Sequence, residues 1–169
     1  MKIFLIGFMG SGKSAIGKLL SDKLQFQFYD TDTLVEKHLN QDIPGIFQTK
    51  GEKVFRQTEQ EILQNILTET SNTVVSTGGG LPCFFENMEW MNAHGITIYL
   101  KRTTETLIDF LQHQRQNRPL LSGSADLKHT VNLLLEKREI FYTKSKMIVE
   151  IDGDESDEMV VKKIQILID

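Results

Sequence analysis

Gly7-Phe8-Met9-Gly10-Ser11-Gly12-Lys13-Ser14 fills every fixed position of a G-x-x-x-x-G-K-[ST] phosphate loop. The chemistry it implies is the binding of a nucleoside triphosphate. Its glycines let the backbone curl with N–H groups pointing inward, and the start of the next helix adds partial positive charge. Lys13 would reach the β- and γ-phosphates, and the Ser14 hydroxyl would ligate Mg²⁺. A second chemical group is Asp30-Thr31-Asp32, two carboxylates two residues apart. One could hold Mg²⁺ through water while the other accepts a hydrogen bond from a substrate hydroxyl. Alternatively, Asp32 caps a helix beginning at Thr33. The third is Thr77-Gly78-Gly79-Gly80. Consecutive glycines are costly in chain entropy and a turn needs one, so the run implies either close approach of a ligand or a flexible loop.

Two cations stand in awkward places. Leu127, Val131, Leu134 and Arg138 share one helix face, which puts a guanidinium on an apolar stripe. Such a group must snorkel, pair with a carboxylate or line an anion site. Arg56 lies at helical spacing from Glu52 and Glu59, which by itself reads as surface ion pairing. Cys83, His38, His94, His113 and His129 form no metal-ligand spacing. Phe110, Phe141 and Trp90 fall on stripes expected in the core.

The elements that must position these residues alternate. Strand-like apolar runs cover 2–6, 26–29, 73–76, 96–100 and 146–151. Helical patterns cover about 13–24, 33–40, 52–69, 84–93, 104–111, 126–142 and 156–168. That order predicts β-α-β units and a mostly parallel sheet, its strands buried on both faces. In such sheets ligands collect beyond the carboxyl ends of the strands, where the three chemical groups fall. Residues 112–125 are polar and carry two arginines, and they read as an exposed loop or as a mobile lid over phosphates.

A chain of 169 residues suits one domain. A formal net charge of −4 and no basic block argue against a nucleic-acid partner. One cysteine allows no internal disulfide. The first apolar run is too short for a signal peptide, and no stretch approaches the ~20 residues of a membrane span. The expectation is a cytoplasmic protein without membrane attachment.

Taken in order, these motifs resemble the shikimate kinase family. The resemblance runs nearly end to end: the phosphate loop with Gly17 after it, Asp30-Thr31-Asp32, and Asp42-Ile43-Pro44-Gly45-Ile46-Phe47. It continues through Gly51-Glu52, Phe55-Arg56, Glu59, Thr77 to Gly80, Arg118-Pro119-Leu120-Leu121 and Lys137-Arg138. It implies a three-layer α/β/α P-loop kinase fold with a five-stranded parallel sheet, as in nucleoside monophosphate kinases. With this come a substrate-binding helical region at about 31–62 and a closing lid at about 112–125. The implied reaction moves the ATP γ-phosphoryl group to the 3-hydroxyl of shikimate, on the route to chorismate and aromatic amino acids. Lys13, Asp32 and Arg118 would be catalytic, with Asp32 holding the shikimate hydroxyls. Gly10, Ser11, Gly12, Lys13, Ser14, Ala15 and Arg118 would hold ATP, while Ser14, and Asp30 through water, would hold Mg²⁺. Arg56 and Arg138 would clamp the shikimate carboxylate, Gly78, Gly79 and Gly80 would close around the ring, and Phe47 and Phe55 would form an apolar wall. A monomer is implied as well.

The chain departs from the family in two places. Phe110-Leu111-Gln112-His113 has no arginine where one would stack on adenine, and the segment 151–156 is acidic where a basic residue is common. Another small-molecule kinase of this fold, acting on gluconate or a nucleoside monophosphate, is the nearest rival. Asp42-Ile43-Pro44-Gly45 also fits the D-x-x-G of a GTPase-like switch, but it follows a polar helical stretch and no N-K-x-D motif accompanies it.

Overall fold

The computed structural model describes residues 1–66, 71–112, 119–121, 124–153 and 155–168. Arg118 and most of the expected lid lie outside them, as do 67–69 of the expected helix 52–69. The described elements run β1 (Lys2–Ile6), α1 (Lys13–Leu24), β2 (Gln27–Asp30), α2 (Thr31–Leu39), α3 (Ile43–Thr49), α4 (Gly51–Ile66) and β3 (Thr73–Ser76). A 3-10 turn at Leu81–Cys83 follows, then α5 (Asn87–His94), β4 (Ile96–Arg102), α6 (Thr104–Gln112), α7 (Leu127–Tyr142), β5 (Met147–Ile151) and α8 (Asp157–Ile168).

The five strands form one parallel sheet in the order β2-β3-β1-β4-β5. Side chains alternate across a strand, so β1 supplies both faces. Ile3 and Leu5 join Ile16 and Leu20 of α1 and Val160 and Ile164 of α8. Phe4 and Ile6 join Leu63 of α4, Met88 of α5, Leu107 of α6 and Tyr142 of α7. Three layers result, as expected. Burial on both faces holds for β1 and β3, but edge strands β2 and β5 have solvent beside them and are only partly buried.

Local chemistry moves several boundaries from their expected places. Asp30, not Asp32, caps α2: its carboxylate accepts from the backbone N–H of Asp32 and Thr33. The helix therefore starts at Thr31, and Asp32 is left in the first turn. Asp42 caps α3, which the sequence pattern did not show, by accepting from Gly45 N–H at 3.0 Å. Pro44 fits there because the first helical turn needs no N–H from it. The D-x-x-G match is thus a helix cap. The helix expected from residue 84 starts at Asn87, because Phe85 and Glu86 adopt φ values of 52° and 57°.

Candidate active site

The phosphate loop joins β1 to α1. Gly10 and Gly12 have φ values of 85° and 91°, which side-chain-bearing residues rarely adopt, and Gly12 forms the cap of α1. Lys13 is drawn back over the loop, its Nζ donating to the carbonyls of Gly7 and Phe8 at 2.9 Å each. Arg102, at the end of β4, donates to the Ser11 carbonyl at 3.1 Å. Ser14 Oγ donates to Asp30 Oδ2 at 2.6 Å and stands 3.3 Å from Ser76 Oγ on β3.

A cleft of about 730 Å³ opens over this loop. Gly10, Gly12, Lys13, Ser14, Ala15, Asp30 and Asp32 line it, so most residues expected at the nucleotide meet there. Ser11 does not line it, because its side chain turns inward with Oγ 3.5 Å from Lys13 Nζ. Phe110 does line it and is 46% exposed rather than in the core. It borders Gly10, whose absent Cβ would come 3.0 Å from its ring.

The Ser14–Asp30 arrangement suits Mg²⁺. Its donors are all oxygen, and Mg²⁺ takes one or two protein oxygens beside phosphates and water. Among the described residues no cluster of three or more His, Cys, Asp or Glu could hold a metal unaided.

A second cleft, with about 500 Å³ of open space, adjoins the first. Asp32, Phe47, Phe55, Arg56, Gly78, Gly79, Gly80 and Arg138 all line it. They come from α2, α3, α4, α7 and the loop after β3. Arg56 is 5% exposed, not a surface residue, although it makes both ion pairs its spacing implied. Its Nη1 donates to Glu59 at 2.6 Å and its Nη2 to Glu52 at 2.9 Å. The rings of Phe55 and Phe84 lie 4.9 and 4.7 Å from its guanidinium carbon, which holds the plane of the cation. Arg138 is 7% exposed and 5.7 Å from the Phe8 ring. It lines a cleft of mixed polar and apolar character rather than snorkelling into open solvent. Tyr142, one turn along α7, donates to the Gly79 carbonyl at 2.5 Å and ties the glycine loop to that helix.

The three glycines are pressed by the protein's own charges. A Cβ at Gly80 would fall 2.6 Å from Arg56 Nη1, and one at Gly79 3.5 Å from Arg138 Nη1. A Cβ at Gly78 would fall 2.5 Å from both Asp32 Oδ1 and Glu59 Oε1. Close approach explains the run, but what approaches is the protein's own side chains rather than the ligand that the sequence pattern suggested.

Glu59 is the cleft residue whose place the sequence understated. It is 1% exposed, and its Oε1 has no hydrogen-bond partner among the described residues. Burial pushes its carboxyl up to about 7, and Asp32 adds to this while Arg56 and Arg138 oppose it. The short bond to Arg56 favours charge, yet loss of water from the other oxygen outweighs it. Helical spacing from Arg56 revealed the pairing but not the depth. Tyr142 was missed, although its spacing of four from Arg138 puts it on the same helix face and could have marked it; Phe84 and Arg102 carried no such signal.

Met9, Asp32 and Gly79 line both clefts, so the two adjoin at these residues. A protein-family model described as shikimate kinase matches residues 9–169. The shikimate kinase of Azobacteroides pseudotrichonymphae genomovar. CFP2 is 46% identical over 149 residues, 87% of this chain and 88% of that protein. A solved shikimate kinase from Bacteroides thetaiotaomicron superposes with a TM-score of 0.89 at 36% identity, over 99% of this chain and 98% of that one. Another from Acinetobacter baumannii, in complex with shikimate, gives 0.92 at 30% identity, over 99% and 92%. The chain belongs to the shikimate kinase family.

Proposed function

We propose that the protein phosphorylates the 3-hydroxyl of shikimate with ATP, giving shikimate 3-phosphate and ADP, through the residues described above. The observation that carries this reading is the junction at Asp32, where a cleft with two buried guanidiniums meets the phosphate-loop cleft. A small carboxylic acid with hydroxyls fits the first, and a triphosphate fits the second. A nucleoside monophosphate lacks the ring carboxylate that Arg56 and Arg138 would meet.

In this reading Arg56 and Arg138 fix the carboxylate, Phe47 and Phe55 wall the ring, and Gly78, Gly79 and Gly80 keep the backbone close. Asp32 turns the 3-hydroxyl toward the phosphate loop. The 3-oxygen bonds to the γ-phosphorus in line, the bond to the β,γ-bridging oxygen breaks, and the hydroxyl proton passes to Asp32. Backbone N–H groups of Gly10, Ser11, Gly12, Ser14 and Ala15 cradle the phosphates, and Lys13 and Arg118 offset the charge that builds there. Ser14, and Asp30 through water, would hold Mg²⁺, which supplies further neutralisation of phosphate charge. Closure of residues 112–125 over the site would exclude water and protect ATP from hydrolysis.

The chain works as a single domain and monomer in the cytoplasm; no helix among the described residues is long and apolar enough to cross a membrane. The test is an ATP-consumption assay with shikimate, gluconate and nucleoside monophosphates side by side. Shikimate should support turnover at least a hundredfold above the others; preference for gluconate would overturn the reading.

A further inference from the structure

Charge in the substrate cleft is finely balanced. Arg56 and Arg138 bring two positive charges, and Asp32 and Glu59 bring two negative ones when both are ionised. Glu52, the other carboxylate on Arg56, is 46% exposed and screened by water. The Cys83 thiol, on the 3-10 turn beside both arginines and Glu59, is pushed up to about 11 by burial and stays neutral. A monoanion entering a neutral cleft leaves one negative charge uncompensated where water is scarce.

The geometry of Glu59 shows how that charge can be removed. One oxygen, Oε2, is fixed by Arg56. The other, Oε1, has no partner among the described residues and lies against Gly78, as does Asp32 Oδ1. Each is 2.5 Å from the same point, so the two oxygens are at most 5.0 Å apart. An ionised Oε1 is repelled by the nearby Asp32 carboxylate, whereas a proton on Oε1 removes the repulsion and supplies a donor.

We propose that Glu59 takes up a proton as the carboxylate-bearing substrate enters, so that binding of the acid is proton-coupled. Substrate competes with Glu59 for Arg56, which weakens the support for an ionised Glu59; by reciprocity, a proton on Glu59 tightens substrate binding. Among the described residues, the groups facing Glu59 are Arg56 on its own helix, Asp32 from α2, Arg138 from α7 and Cys83 from the turn, with Glu52 on the far side of the pairing at Arg56. The free carboxyl is half protonated near pH 7. Below that pH the proton is already present and affinity is at its plateau. Above it, the apparent Kd for shikimate should rise by up to tenfold per pH unit.

The inference rests on shikimate being the substrate, and one experiment separates the two claims. Calorimetric titration of the intact protein with shikimate, at about pH 8 in buffers of different ionisation heat, counts the protons taken up. Uptake approaching one proton, abolished in Glu59→Gln together with the pH dependence of Kd, is the expected result. Glutamine keeps the acceptor for Arg56 and presents a neutral donor, so its affinity should match the low-pH plateau of the unaltered protein. Binding with buffer-independent heat overturns the inference and leaves the substrate reading standing. Unchanged uptake in folded Glu59→Gln also overturns it. No binding at any pH overturns both. Should Glu59→Gln fail to fold, the Glu59 δ-carbon resonance of labelled wild-type protein must titrate near pH 7 and move upward with shikimate; a resonance that does neither is equally fatal.

Discussion

Gly78→Ala probes the crowded glycine loop that lines the cleft beside Asp32 and Glu59. The φ of Gly78 lies outside the left-handed region, so alanine adds no backbone strain. Its Cβ would stand 2.5 Å from Asp32 Oδ1 and Glu59 Oε1, about 0.9 Å inside the 3.4 Å at which ordinary contact begins. Both obstacles are ends of side chains, which can yield. An off-rotamer side chain costs about 0.5–1.5 kcal/mol, so two displaced carboxylates cost about 1–3 kcal/mol of stability. For a domain of this size that lowers the melting temperature by roughly 2–12 °C.

The functional loss should be larger. Glu59 is anchored to Arg56 at 2.6 Å, so either Asp32 withdraws or Arg56 is dragged with its partner. Each route moves a substrate-positioning group by close to 1 Å, and an error of that size costs about 100-fold in rate, or roughly 2.7 kcal/mol. The assay is ADP release with shikimate varied at saturating ATP, beside ATP affinity and a thermal melt. kcat/KM for shikimate should fall about 100-fold while ATP affinity stays within about twofold. A folded Gly78→Ala protein with kcat/KM within about threefold of wild type would refute the reasoning.

Asp32→Asn should lower turnover by about 10²–10⁴-fold while ATP binding survives, and unchanged shikimate phosphorylation would contradict its role. Arg138→Ala removes a buried cation from the cleft and should raise the shikimate KM by roughly 30-fold or more, leaving ATP affinity in place; equal loss of both would indicate unfolding instead. Chelation should abolish activity and added Mg²⁺ restore it, with Ser14→Ala shifting half-activation to higher Mg²⁺; an unshifted Mg²⁺ titration would remove Ser14 from the metal site.

The sequence alone determined what depends on neighbours along the chain. A phosphate loop is a local device, eight residues between strand and helix, so its glycines, Lys13 and Ser14 were legible at once. The alternating order of strands and helices likewise led to the parallel sheet, because strands buried on both faces read as short apolar runs between helical patterns. Arg138 declared itself as a cation on an apolar helix face, whereas the spacing of Arg56 from two glutamates read as surface pairing and its place in the cleft came only from the family resemblance. The short helix α3 and the late start of α5 were missed because a cap at Asp42 and left-handed residues at Phe85 and Glu86 decide them, and neither changes hydrophobic periodicity.

Tertiary structure decided how these groups meet. Helix α4 brings Glu59 to the loop after β3, α2 brings Asp32 to the same loop, and α7 brings Arg138 and Tyr142. None of these approaches is a short-range property of the chain. A glutamate's proton affinity depends on the water it loses and the charges it faces, so Glu59 became distinctive only after four separate segments closed around it.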